Sequence, residues 1–212
     1  MAQAARQLSP RAEDTRSSIL EAAERLFAAR GFDKTRLEDV AEAVGIRRAS
    51  IVYYFKDKQV VYDEVLARVF GEFRERLEEA LETDGPMANR IEAAVSAWVD
   101  YVGGRPSFAR ILLREVADGA HPDRARLLSH IEPFRELVQD FLDRHRDDPL
   151  LKRATIDPAH MAATIAGATV FFVAAMPALI PETAFDPLSE EHLEAHQLEV
   201  IKITRRLMRE GD

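Results

Sequence analysis

Arg47, Arg48, Ser50 and Tyr53 lie within seven residues of one another, and Lys56 and Lys58 follow closely. Guanidinium and ammonium groups make charge-assisted hydrogen bonds to anionic oxygens, and hydroxyls hydrogen-bond in either direction, so this set suits phosphates and base edges. From Ile46 to Lys58 four cations stand against one anion, Asp57, a local balance of +3. Residues 1–58 hold eleven Lys or Arg against nine Asp or Glu, while the other 154 residues hold eighteen against twenty-eight, in a chain of net charge −8. A protein that coats nucleic acid draws its affinity from many phosphate contacts and needs a basic surface throughout. One small cationic patch on an acidic chain fits a site-specific reader instead, used twice in a dimer.

The elements that must carry this patch are legible in the spacing from Arg36 to Phe55. Counting from Leu37, Val40 and Ala41 at +3 and +4 close an apolar stripe, Gly45 stands at +8 and Ile51 at +14. Two short helices crossing steeply need a small side chain where they meet, which Ala41 supplies. Gly45 can take positive φ without a Cβ clash and re-aim the chain within a few residues. Ile46 and Ile51 then fill the space beneath the second helix, leaving Arg47, Arg48, Ala49, Ser50 and Tyr53 for outward faces. The pattern is a helix-turn-helix over 36–55, against the plainer alternative of a helical hairpin with no nucleic-acid role.

Helical periodicity continues along the whole chain, and no stretch alternates as a strand. Helices are expected at about 13–30, with Gly31 as stop, 36–44, opened by a capping box of Thr35 and Glu38, 47–54, and 58–82, capped by Asp57. Five more are expected at about 87–102, 106–117, 123–146, 158–180 and 189–209, with Pro86, Pro106, Pro122 and Pro158 at or near their starts. The fold class is therefore all-α with nine helices. Residues 1–12 read as a flexible tail whose Arg6 and Arg11 are solvated or reach toward DNA, 13–58 as the helix-turn-helix domain, and 59–212 as a helical domain for ligand binding and dimerisation.

Residues from about Arg16 to Lys58 resemble the DNA-binding domain of the tetracycline-repressor (TetR) family. The resemblance rests on Ile19-Leu20-Glu21-Ala22-Ala23, Leu26-Phe27, Gly31-Phe32, Thr35, Val40-Ala41, Gly45-Ile46 and Tyr53-Tyr54-Phe55-Lys56-Asp57-Lys58. It implies a dimeric transcriptional regulator, usually a repressor, released from a palindromic operator by a small molecule. It also implies a DNA-contact set of Thr35, Arg36, Arg47, Arg48, Ala49, Ser50, Tyr53, Tyr54 and Lys58, with hydroxyl contacts from Ser50 and Tyr53 and a phosphate clamp at Lys58. Tyr54 is equally readable as a core or hinge residue, and Arg36 as a phosphate contact or a solvated side chain. Arg47, Ala49 and Val52 depart from residues common in the family, so base preference does not carry over.

In the C-terminal part, Trp98, Tyr101, Phe108, Phe134, Phe141 and Phe172 are candidates to line a pocket for an unknown inducer, with Arg110 or Arg114 as polar anchors; each aromatic is otherwise ordinary core. Residues 161–180 form an uncharged run of membrane-spanning length, but seven alanines, two threonines, a glycine and Pro177 make it weakly apolar, so it reads as a buried helix. Leu193, His196, Val200, Ile203 and Leu207 follow a heptad-like stripe, and the homodimer contact is expected through 158–180 and 189–209. His192 and His196 are one turn apart but lack both the His-Glu-x-x-His order and an obvious third ligand, so no metal site is expected. No cofactor is expected either. The absence of cysteine, of Gly-x-Ser-x-Gly and of a phosphate loop argues against an enzyme, and Gly103-Gly104 alone is a weak signal. A chain without cysteine and without an apolar leader fits the cytoplasm. The alternative functions are a helical adaptor that binds protein and a DNA-binding activator without small-molecule release.

Overall fold

The computed structural model describes residues 9–117, 124–154, 156–180 and 185–209; the first helix runs on to Lys34, and Gly31, its expected stop, is a kink of φ 80° and ψ 170° inside it. Among the described residues there are eleven helices and no strand: α1 Pro10–Lys34, α2 Leu37–Val44, α3 Arg48–Tyr54, α4 Lys58–Leu81, α5 Met87–Gly104, α6 Pro106–Ala117, α7 Arg124–Arg144, α8 Pro149–Arg153, α9 Pro158–Ala174, α10 Met176–Leu179 and α11 Glu190–Arg209. Nine of them match the nine expected helices. The short α8 and α10 are additional.

Three differences have clear local causes. The helix expected over 158–180 divides at Ala175, because Pro177 has no N–H to continue the ladder; a new turn, α10, starts at Met176. Pro10 occupies the first position of α1, so residues 10–12 belong to that helix and not to a tail. Of the cations assigned to the tail, Arg11 is therefore helical, while Arg6 lies outside the described residues, as does Pro122. The capping box is displaced by one residue: the N-cap of α2 is Arg36, whose N–H donates to the Asp39 carboxylate at 2.9 Å. Thr35 is fully buried, and its hydroxyl turns back to donate to Gly31 O at 2.8 Å.

The chain divides into two compact units, Met1–Arg68 and Val69–Asp212. In the first, Ile19, Ala23, Phe27, Val40, Ile51, Phe55 and Val61 have 0–1% exposure and fill a continuous core. Phe27 meets Tyr62 edge-on at 4.8 Å between centroids. Arg16 pairs with Glu64, and Arg68 donates to Ser17 Oγ at 3.3 Å, tying α1 to the first half of α4.

In the second unit α5, α9 and α11 pack together. α5 and α11 approach closely at Gly103, where a Cβ would stand 3.0 Å from a Leu193 methyl and press that side chain aside. Gln197 on α11 donates to the Asp100 carboxylate on α5 at 2.7 Å, and Arg205 holds Glu92 through two bonds of 2.6 Å. Burial pushes the Asp100 carboxyl up, opposed by that hydrogen bond and by Arg76. Of the expected stripe on α11, Val200 is buried, but Ile203 is 41% exposed, and Thr204 and Met208 complete the inner face. Phe171, Leu179 and Leu198 are also more than half exposed. No helix among the described residues is long and apolar enough to cross a membrane.

Candidate nucleic-acid interface and ligand cavity

Gly45 adopts φ 74°, ψ 29° and closes α2 with paired bonds, its own N–H to Glu42 O at 3.1 Å and the Ile46 N–H to Ala41 O at 2.9 Å. The chain then enters α3, anchored by Ile51 at 0% exposure. With Ile51 turned inward, Arg47, Arg48, Ala49, Val52 and Tyr53 are exposed and Ser50 is half-buried. Tyr53 is 72% exposed, which leaves most of its ring and hydroxyl in solvent. Tyr54 is half-buried, with its ring 5.1 Å from that of Tyr53, so it supports the exposed row from behind. Arg48 pairs with Glu38 of α2 at 2.8 Å, with both side chains largely in water. Arg36 is exposed at the head of α2.

Two residues of the expected DNA-contact set have internal partners. Thr35 has no exposed surface and both its hydroxyl contacts, Gly31 O and Leu26 O, are internal. Lys58 donates to Phe32 O at 2.9 Å and lies 4.1 Å above the Phe32 ring, so its ammonium ties the end of α1 to the start of α4. Val52 and Lys56 are exposed beside the row and were absent from the set. Lys56 was visible in the charge count and in the family motif without being given a contact, and Val52 only as a departure from the family pattern.

The second unit holds a cavity of about 860 Å³ that is partly open to solvent. Its wall includes Phe70, Phe73, Leu77 and Leu81 of α4, Ile91, Ala94, Val95 and Trp98 of α5, Phe108 of α6, Phe134 and Phe141 of α7, and Met161 and Ile165 of α9. The α4 and α5 residues recur at helical spacing, each set forming one stripe turned to the space. Trp98, Phe108, Phe134 and Phe141 thus fall where expected. Tyr101 does not line the cavity: it is buried, with its hydroxyl donating to Val69 O at 2.5 Å. Phe172 stacks on His196 at 4.1 Å between centroids, away from the cavity wall. Arg110 and Arg114 are exposed on α6 and are not in the wall. The indole N–H of Trp98 is buried without an acceptor among the described residues.

His192 and His196 go to separate contacts. His192 Nδ1 is 2.7 Å from Ser189 Oγ, while His196 Nε2 is 3.4 Å from Thr169 Oγ1. Burial holds the His196 imidazole below its ordinary value. Among the described residues no three His, Cys, Asp or Glu side chains gather as a metal site.

A three-helix reader with a cationic, hydroxylated outer row, carried on a chain whose other unit is a helical bundle around an apolar cavity, defines a helix-turn-helix transcription regulator. Residues 19–65 match the family described as bacterial regulatory proteins, tetR family. The HTH-type transcriptional repressor KstR2 of Rhodococcus jostii (strain RHA1) is 30% identical over 145 residues, spanning 63% of this chain and 69% of that protein. FadR of Bacillus subtilis, solved with stearoyl-CoA, shares the fold with a TM-score of 0.69 at 16% identity, over 89% of this chain and 96% of that one. AibR, solved with isovaleryl coenzyme A and operator DNA, has a TM-score of 0.66 at 16% identity, over 89% of this chain and 97% of that one. The chain belongs to the TetR family, whose members are transcription regulators and not enzymes.

Proposed function

We propose that this regulator is a repressor that binds a palindromic operator as a homodimer and leaves it when a small molecule with an apolar body occupies the cavity. The observation that carries this reading is the cavity of about 860 Å³ whose wall includes the second half of α4, the helix that begins in the DNA-binding unit. Pockets of this size bury most of a small ligand. The ligands in the FadR and AibR structures, both acyl-coenzyme A compounds, support an apolar body as the effector.

Dimerisation is supported by the exposure of Phe171 on α9, Leu179 on α10 and Leu198 and Ile203 on α11, each 41–65% in solvent. Large apolar side chains left in solvent on these three helices are the material of a helix-bundle interface. A dimer presents two copies of α3, and successive major grooves on one side of a duplex recur at about 34–36 Å. A ligand that binds better to a dimer of another spacing lowers operator affinity by the same factor that the operator lowers ligand affinity. Helix α4 is the lever in this scheme, because ligand contacts at Phe70, Phe73 and Leu77 act on a rod whose first turn carries Lys58.

The test is a gel shift on the DNA flanking the regulator's own coding region, with sedimentation to fix stoichiometry and with apolar effectors added. A retarded complex of two chains per site that dissociates on addition of effector is the expected result. A complex indifferent to every effector would favour an activator without ligand release. No complex with any fragment, together with a monomeric particle, would leave a protein-binding adaptor.

A further inference from the structure

We infer that the effector of this regulator is an amphiphile with an acidic head, whose apolar body occupies the cavity and whose anionic group is held by Arg146; the inference rests on the reading of the cavity as the effector site. Among the described residues Arg146 is the only cation in the cavity lining, and it is exposed, so it stands where the cavity meets solvent. It belongs to the turn 145–147 that follows α7. Its neighbours are engaged: Arg144 Nε donates to Asp140 O at 3.3 Å, Arg153 Nε to Pro149 O at 3.1 Å, and Lys152 pairs with Asp147 at 2.8 Å. Among the described residues Arg146 makes no hydrogen bond and no ion pair.

Two carboxylates share the lining, and each has its own partners. Asp157 caps α9, accepting from the Ala159 and His160 amides at 2.8 and 3.2 Å, and those bonds hold its carboxyl below the usual range. Asp143 accepts from Gln139 Nε2 at 3.3 Å. The guanidinium fork of Arg146 is therefore left to a ligand. Its planar donors match a carboxylate or a phosphate in paired bonds, while a neutral apolar ligand would gain nothing from it. A free acid and the phosphates of a coenzyme A thioester present the same chemistry to this residue.

Trp98 is the only tryptophan of the chain and lies in the cavity wall, so its emission reports occupancy directly. Full-length protein is titrated with dodecanoate, dodecanoyl-coenzyme A, dodecanol and coenzyme A alone, in the native chain and in Arg146→Gln and Arg146→Lys. At least one acidic amphiphile should bind about tenfold more tightly than dodecanol, lose about tenfold in Arg146→Gln, and recover part of that in Arg146→Lys, while dodecanol is unchanged. The acidic probe that loses more identifies the head group, and coenzyme A alone should bind weakly. Equal affinity for dodecanol and both acids, or an Arg146→Gln effect that is absent or the same for all three, would overturn the inference and leave the effector cavity standing. Silence of Trp98 to every probe would overturn the effector reading itself, and this inference with it.

Discussion

The two units of this chain use their large apolar side chains in opposite ways. In the first, Phe27, Ile51 and Phe55 have 0–1% exposure and close the centre. In the second, Phe70, Phe73, Trp98 and Phe134 stand around a cavity of about 860 Å³. A reader must hold a surface row in one geometry, which a filled core enforces. In the role proposed for it the second unit accepts a guest, so part of its packing is deferred until the guest arrives. The contrast predicts unequal responses to the same mutation. Phe27→Ala should cost about 3–5 kcal/mol of stability in the first unit, because a filled site cannot collapse. Phe134→Ala, on a half-buried ring already facing open space, should cost about 1–2 kcal/mol. Urea unfolding followed by circular dichroism measures both, and equal costs would break the comparison.

The exposed row gives a smaller effect of a different kind. Arg48→Ala should weaken operator binding about tenfold and lower the slope of log affinity against log salt by about one, if Arg48 meets a phosphate. The ion pair with Glu38 does not protect it, since both side chains are about 60% exposed and such pairs contribute about 0–1 kcal/mol. A gel-shift series over salt concentration decides it; an unchanged slope removes Arg48 from the interface. Lys58→Ala sharpens the point, because its ammonium is committed to Phe32 O and its loss should lower the melting temperature of the first unit as well as any DNA affinity.

Gly45→Ala isolates backbone strain from packing. A Cβ at Gly45 would meet nothing within 4 Å, so the whole cost comes from holding alanine at φ 74°, about 1 kcal/mol. Gly45→Asn should cost less, since asparagine tolerates this region. A melting curve for the two variants that reversed this order would mean that the turn is set by something other than φ.

The same division explains how much was legible in the sequence. The helix-turn-helix could be read because geometry dictates residue type at fixed offsets: Gly45 for its φ, Ala41 and Ile51 for the crossing. Thr35 was misplaced because the choice between neighbouring caps turns on one residue, and the acceptors that draw its hydroxyl inward, Leu26 O and Gly31 O, belong to the preceding helix. Lys58 finds its partner 26 positions back, a contact that no local pattern encodes. In the second unit the stripes of α4 and α5 were available as periodicity, but periodicity tells which face is buried and not whether core or cavity lies opposite. Tyr101 and Trp98, three residues apart on α5, divide on that point: one hydroxyl reaches Val69 O, and the other ring joins the wall. Arg146 sits in a turn among other charges, where residue type carries no such signal. Pro177 was visible, and its consequence for α9 follows from its missing N–H.

The smallest effect concerns acidity. His196 on α11 stacks on Phe172 of α9 and lies 3.4 Å from Thr169 Oγ1. Burial lowers its pKa from the ordinary 6.5, so the unfolded chain takes up a proton more readily than the folded one. Stability from this site is complete above pH 6.5 and falls away as pH drops through the lower folded value. In His196→Phe the ring remains to stack and the titration is gone. Its melting temperature should therefore decline less than that of the native chain below pH 6.5, with the two curves running parallel above it. If α9 and α11 also form the dimer contact, sedimentation over the same range should show the native dimer weakening first. Curves parallel throughout would mean that the imidazole keeps enough water to titrate normally, and the packing of α9 on α11 would then be as accommodating as the cavity wall.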